Sequence, residues 1–236
     1  PEVPVIAEPK PFLAIADADP VTIAGREGLA IRTTLDGSEP SAASPLYTAP
    51  FRLQQEATVK ARFFQGAQPL PLVATQEFRA RRWRLREPDR PSAAGLEPGL
   101  RFDLMRFEGG IRLWDLMQRP PVEQGTCEDL SLERWIKERS FGLRWQGYVQ
   151  VPRDGVYRFT ARTPTGAYLF IRNPEKDLDV PPVVAPSYSR LEDAGSIALG
   201  AGLHQLSVEY LQAWKNPNEL SVEVEGPGVP RQPLPA

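Results

Sequence analysis

An all-β fold, with two β-sandwich domains in tandem, is the fold class this sequence predicts, on three observations. Proline is dense, 26 of 236 residues, about twice the ordinary share of roughly 5%. Each proline fixes φ and removes a backbone donor, which breaks long helices and suits short strands and turns. Apolar and polar residues alternate with period two in run after run, as in sheets with one wet face. Near the middle the runs stop at RLREPDRPSAAGLEPG, Arg84–Gly99, a Pro-, Gly- and charge-rich text with the composition of a linker. The expected domains are therefore 1–83 and 99–236, joined by a linker over 84–98.

The first segment offers five short runs: FLAIA (Phe12–Ala16), VTIAG (Val21–Gly25), LAIRTT (Leu29–Thr34), ATVKARFF (Ala57–Phe64) and VATQEFRARRW (Val73–Trp83). In the fourth, Val59, Ala61 and Phe63 share one face while Lys60 and Arg62 share the other. Such spacing suits a sandwich of immunoglobulin or fibronectin size. The intervening TLDGSEPSAASPLYTAPF, Thr34–Phe51, reads as a stiffened corner. Asp36-Gly37 turns the chain, Pro40 and Pro45 rigidify it, and Tyr47 and Phe51 are expected to pin it to the core.

The second segment settles into FGLRWQGYVQV (Phe141–Val151), GVYRFTART (Gly155–Thr163), AYLFIRN (Ala167–Asn173), SIALG (Ser196–Gly200), HQLSVEYLQA (His204–Ala213) and LSVEVEGPG (Leu220–Gly228). Pro152-Arg153-Asp154-Gly155 between the first two predicts a hairpin. Only LSLERWIKER, Leu130–Arg139, carries a weak helical pattern. Trp145, between Phe141, Leu143 and Gly147, is expected in the core.

Composition removes several functions. A net charge of −2 makes no electrostatic case for nucleic acid or an anionic membrane, and no run nears the roughly 18 apolar residues of a membrane span. Cys127 is the only cysteine and His204 the only histidine, so internal disulfides, His-rich zinc sites and paired-histidine relays are absent. His204 reads as a strand-end residue and Cys127 as a small hydrophobe. Glu108-Gly109-Gly110 lacks the strand-turn-helix context of a phosphate loop. Glu128-Asp129 and Glu192-Asp193 are neighbours in sequence, whereas a glycosidase holds two carboxyls across a cleft. The expectation is no catalytic residue, no metal and no cofactor. The chain opens PEVPVIAEPKPF, without an initiator methionine or an apolar leader, and is expected to be a piece of a longer precursor.

What remains is aromatic surface. Trp214 lies in LQAWKNPNEL beside Lys215, Asn216 and Asn218. A flat indole next to amides suits sugar recognition, the ring stacking on C–H groups and the amides matching hydroxyls. An indole folded over the sandwich edge fits the same text.

IRTTLDGSEPSAASPLYTAPF followed by ATVKARFF resembles the small β-sandwich that follows the catalytic barrel in bacterial chitobiases and β-N-acetylhexosaminidases. This chain has Thr33 and Leu35 where that family typically has tyrosine and threonine. The second segment, from FGLRWQGYVQV through LSVEVEGPGVPRQPLP, is similar to the protective-antigen-type, jelly-roll-like sandwich of bacterial toxins, fungal adhesins and glycosidases. In lectin-like members of that family, two aspartates before the conserved glycine hold calcium. Here Pro164 and Thr165 stand in those places and Gly166 is kept. Calcium favours six to eight hard oxygens with several carboxylates, so the expectation is glycan binding without calcium. The residues this singles out for carbohydrate are Trp214, Lys215, Asn216, Asn218, Thr165 and Tyr168. The tandem order resembles the tail of a secreted bacterial β-N-acetylhexosaminidase. It implies a non-catalytic ancillary region in a secreted, periplasmic or cell-surface protein, with glycan and the upstream catalytic domain as partners. A stand-alone carbohydrate-binding or adhesin module and a structural spacer are the alternatives.

Overall fold

The computed structural model describes residues 2–80, 83–91, 96–171, 180–187, 190–213 and 218–234. They fall into two compact units, Pro1–Trp83 and Arg84–Ala236, and are almost wholly strand and loop.

The first unit holds β1 (Val5–Ile6), β2 (Ile23–Ala24), β3 (Ala30–Thr34), β4 (Ala57–Gln65) and β5 (Gln68–Phe78). β1 and β2 form a two-stranded ribbon, and β3, β4 and β5 an antiparallel sheet in that order. The alternation in β4 is borne out: Val59, Ala61 and Phe63 are buried in the core with Val21, Ile23, Ile31 and Phe78, while Lys60 and Arg62 stay partly exposed. The strand expected at Phe12–Ala16 does not form. Residues Ile15–Asp17 instead make a 3-10 turn, because the Asp17 carboxylate accepts the Ala14 amide and offers the backbone a local partner that competes with a ladder.

The corner at 34–51 folds for identifiable reasons. Asp36 Oδ1 accepts the Ser38 amide at 2.9 Å and the Ser38 hydroxyl at 2.6 Å, with Gly37 at φ 81° between them, a conformation open chiefly to glycine. These bonds also hold the Asp36 carboxyl below its ordinary range. Tyr47 and Phe51 pack edge-on with centroids 6.3 Å apart, and the Tyr47 hydroxyl accepts the Ile23 amide at 3.0 Å. Thr33 and Tyr47 exchange backbone bonds with Pro45 and Ile31, so the corner covers the outer edge of β3.

The second unit is a sandwich. A five-stranded sheet runs β10-β12-β8-β6-β7 and a four-stranded one β11-β9-β13-β14. Its strands are β6 (Leu100–Arg106), β7 (Glu123–Cys127), β8 (Phe141–Val151), β9 (Gly155–Arg162), β10 (Ala167–Ile171), β11 (Glu192–Leu199), β12 (Gly202–Gln212), β13 (Ser221–Gly226) and β14 (Val229–Pro233). All pairings are antiparallel. One core takes side chains from both sheets: Phe102, Leu143, Trp145, Leu206, Val208 and Tyr210 from the first, Tyr157, Phe159, Ala161, Val222 and Val224 from the second.

The hairpin expected at Pro152–Gly155 is corrected by this topology. β8 pairs with β6 and β12, whereas β9 pairs with β11 and β13; the turn carries the chain from one sheet to the other. Asp154 accepts the Ala201 amide at 2.8 Å, which ties the crossing to the β11–β12 turn. The weak helix at Leu130–Arg139 is a single 3-10 turn, Glu133–Trp135. The one α-helix among the described residues is α1, Leu113–Met117. It packs Leu113, Leu116 and Met117 with Met105, Phe107 and Leu211.

In the Pro-rich text before β6, Arg86 and Asp89 are stitched to the second unit. Arg86 N donates to Ala198 O and accepts through its carbonyl from Gly200 N, and Asp89 N donates to Leu203 O, all at 2.8–2.9 Å. The Asp89 carboxylate accepts Gln205 N at 2.7 Å.

Candidate functional site

β9 and β13 run antiparallel in the four-stranded sheet with Arg162 opposite Ser221, so one end of the sandwich gathers the residues after β9 and those before β13. A strap, residues 128–140, runs past the same end. It is pinned by named contacts: Trp135 is buried edge-on to Phe102 at 5.1 Å and Trp145 at 6.3 Å. The Arg134 guanidinium lies over the Phe102 ring at 5.0 Å and pairs with Glu123. Glu138 takes a two-pronged bond from Arg106 at 2.7 and 2.9 Å, which holds its carboxyl below the usual range.

Between strap and sheet lies a pocket of roughly 410 Å³. Leu132, Leu220 and Ile136 give it apolar walls, and Ser131, Glu133, Arg162, Asn218, Glu219 and Ser221 give it polar groups. Ile136 is 62% exposed, which leaves aliphatic surface open at the pocket. Glu133, Glu219 and Arg162 make no ion pair among the described residues. Both acids are exposed, which separates them from a carboxyl kept protonated by burial for acid catalysis.

Asn218 lines this pocket, but its amide N–H groups are already committed. They donate to the carbonyls of Ile136 at 3.1 Å and of Trp135 and Glu138 at 3.3 Å. Asn218 therefore fastens the strap and offers only its side-chain oxygen to the pocket.

Thr165 sits in the turn between β9 and β10, near the same end. Its amide donates to Thr163 Oγ1 at 3.3 Å, and the two hydroxyl oxygens are 3.2 Å apart. Close by is the hydroxyl of Tyr210, a fully buried core residue. It donates to Gln212 Oε1. Burial, the largest influence, pushes the phenol up to about 12; Glu219's charge adds to this, and the Thr165 and Thr163 hydroxyls pull it back. Tyr168 goes elsewhere. It packs with the α1 cluster, its ring 5.9 Å from Phe170. Trp214, Lys215 and Asn216 lie outside the described residues. Of the six residues singled out from sequence, Asn218 and Thr165 stand at this end of the sandwich, while Tyr168 turns to the outer face against the α1 cluster.

Sequence reasoning missed Arg162, Glu133, Glu219, Tyr210 and Gln212. Arg162 and Glu219 flank turns already singled out, so a wider look at those turns reaches them. The strap's contribution depends on contacts about eighty residues apart in the chain and leaves no local signal.

The calcium reading can be tested on the donor set. At Thr163, Pro164, Thr165 and Gly166 the oxygens are neutral, and the two hydroxyls are engaged with one another. Calcium takes charged carboxylates at such a turn, so these residues do not fit the ion. Among the described residues no three of His, Cys, Asp and Glu group as a metal site.

The first unit has a second concavity, an open groove of roughly 520 Å³ along the corner. Exposed Leu35 and Leu46, with Tyr47, Phe51, Asp36 and Ser38, line it.

Comparison with solved structures shows the fold. The epithelial adhesin 9 A domain of Candida glabrata, solved in complex with Galb1-4GlcNAc, superposes with a TM-score of 0.50 at 11% identity, over 63% of this chain and 91% of that one. The complex of the same domain with Galb1-3GlcNAc gives 0.49 at 11%, over 65% and 94%. The PA14 domain of the antifreeze protein MpAFP gives 0.47 at 13%, over 62% and 92%. No curated protein matches the chain. No helix among the described residues is long and apolar enough to cross a membrane. Within the first unit, residues 15–75 match the family model of the Chitobiase/beta-hexosaminidase C-terminal domain.

Proposed function

We propose that the chain is the non-catalytic ancillary region of an extracellular bacterial carbohydrate-active enzyme, a β-N-acetylhexosaminidase by the family of its first unit, and that its second unit binds glycan without calcium. The observation that carries this reading is the pocket between strap and sheet. Its aliphatic walls suit the C–H faces of a pyranose, and its hydroxyls, carboxylates and guanidinium suit the sugar's hydroxyls. Its volume is of the order of one or two sugar rings. Trp214, Lys215 and Asn216, which lie in sequence between β12 and Asn218, are proposed from the sequence as further sugar-binding residues.

Titration with N-acetylglucosamine oligomers and a wider glycan panel, followed by tryptophan fluorescence, tests this. Saturable binding that is equal in calcium and in chelator supports it. Arg162→Ala and Glu219→Ala are expected to weaken binding about fivefold to tenfold each, the scale of one lost hydrogen bond. Trp214→Ala is expected to abolish the fluorescence response.

A docking role for the first unit has one specific observation behind it, the groove with Leu35 and Leu46 uncovered at 46% and 51% exposure. Leu35→Asp with Leu46→Asp should release the parent's catalytic domain in a pull-down while leaving glycan binding unchanged.

A further inference from the structure

We propose that the first unit binds a tetrahedral oxyanion, of the sulfate or phosphate type, at Arg32 and Arg62 with Lys60 beside them. Arg32 of β3 stands directly opposite Arg62 of β4, and Thr34 directly opposite Lys60. Their neighbours Ile31, Thr33, Val59, Ala61 and Phe63 are buried on the other face, so the three cations share the face turned from the core. Like charges directly opposite one another on paired strands destabilise the pair. A wet sheet face does not by itself call for two arginines in register.

The two guanidinium groups are held in place and left short of counter-charge. Arg32 lies over the Phe64 ring, its Cζ 5.7 Å from the centroid, and Phe64 is itself fully buried. Arg32 Nη1 donates to Ser44 O at 2.6 Å, and Arg62 Nε donates to Leu70 O. Each bond to a carbonyl orients the planar fork without cancelling its charge. Arg32 Nε is buried with no hydrogen-bond partner among the described residues. Among the described residues the one carboxylate paired with any of the three cations is Glu39, its Oε2 3.6 Å from Arg62 Nη1. The Glu39 side chain is 68% exposed against 18% for Arg62, and an ion pair so long and so wet contributes little. Glu39 and Ser44 belong to the same corner, so one short stretch of chain meets both guanidinium groups. An incoming oxyanion displaces Glu39 and takes charge-assisted hydrogen bonds from the two arginines. The site lies wholly in the first unit and uses none of the residues of the glycan pocket.

Backbone-amide NMR of the full chain, titrated with sodium sulfate at constant ionic strength, tests the site. Saturable shifts at Arg32, Lys60 and Arg62 are expected, with a Kd of about 1 mM, the scale of two charge-assisted hydrogen bonds. Arg62→Gln should weaken sulfate about tenfold. Glu39→Gln alters an exposed side chain outside the strands and should tighten sulfate about threefold, because the competing carboxylate is gone. Sulfated and unsulfated forms of one N-acetylglucosamine oligomer separate the two sources of the group. If the site serves a glycan, the sulfated form moves the same amides at lower concentration than free sulfate does, and the unsulfated form leaves them still. If the sulfated form binds no better than inorganic sulfate, the site takes the free ion. Shifts that grow linearly with sulfate, or sulfate affinity unchanged or lowered in Glu39→Gln, would overturn the proposal. Glycan binding at the pocket is read at amides of the second unit, so the two readings fail separately.

Discussion

At the scale of single residues, Asn218 shows how one side chain reads differently from sequence and from structure. Beside Trp214 and Asn216 it reads as a sugar ligand, since an amide matches hydroxyls. In the fold its N–H groups serve three carbonyls of the strap. Asn218→Asp keeps the shape, removes both donors and sets a charge against those carbonyls. It should cost about 1–3 kcal/mol and be read as a lowered Tm. Tyr210 gives a second prediction. Its phenol is raised in the fold to about 12 against 10 unfolded, so the unfolded chain ionises first as pH rises. The stability Tyr210 contributes is whole below pH 10 and is lost between there and about 12, at roughly 1 kcal/mol per pH unit. Chemical denaturation at stepped alkaline pH measures this, with Tyr210→Phe showing a shallower decline. In β12 the alternation of Leu206, Val208 and Tyr210 was legible from sequence, and the structure buries all three. The hydroxyl's partner, Gln212, was not, because which polar group a buried phenol meets depends on packing that alternation does not show.

At the scale of elements, strand positions were legible in long alternating runs such as β4 and β12 but not in β6, where Leu100, Phe102 and Leu104 alternate with Arg101 and Asp103, and pairing was not legible. Pro152–Gly155 turns the chain as its residues require, yet its neighbours join different sheets, because hydrophobic faces on two strands can be satisfied by opposing layers as well as by adjacent partners. The five-residue α1 is too short to show a helical period, and its absence from the sequence reading hid a consequence. On the outer face of the five-stranded sheet, Gln124, Asp103, Arg144, Glu209 and Tyr168 stand opposite one another across all five strands. Alternation alone would leave that row wet. Instead Arg144 and Glu209 are buried, joined at 3.2 Å, and Arg144 donates to Met117 O at 2.8 Å. Glu209→Gln therefore removes the carboxylate charge paired with the buried Arg144 guanidinium, and a loss of about 3 kcal/mol in denaturant unfolding is expected. Gly195→Ala should be at least as damaging. A Cβ there would fall 1.6 Å from the Val183 carbonyl oxygen, in the segment that also bonds to Leu169 of β10.

At the scale of the molecule, two independent cores imply two folding units, and residues 84–236 expressed alone should give a cooperative thermal transition. Pure protein should leave chromogenic β-N-acetylglucosaminides intact, since Glu133 and Glu219 face an open pocket as exposed, solvated acids. The most direct test of the central claim is calorimetric titration of the second unit with N-acetylglucosamine oligomers and a panel of other glycans in chelator, beside Arg162→Ala. Saturable heat with at least one glycan, unchanged by added calcium and weakened in the variant, is the expected result. No binding to any glycan in either condition, or binding that appears only when calcium is added, would contradict it.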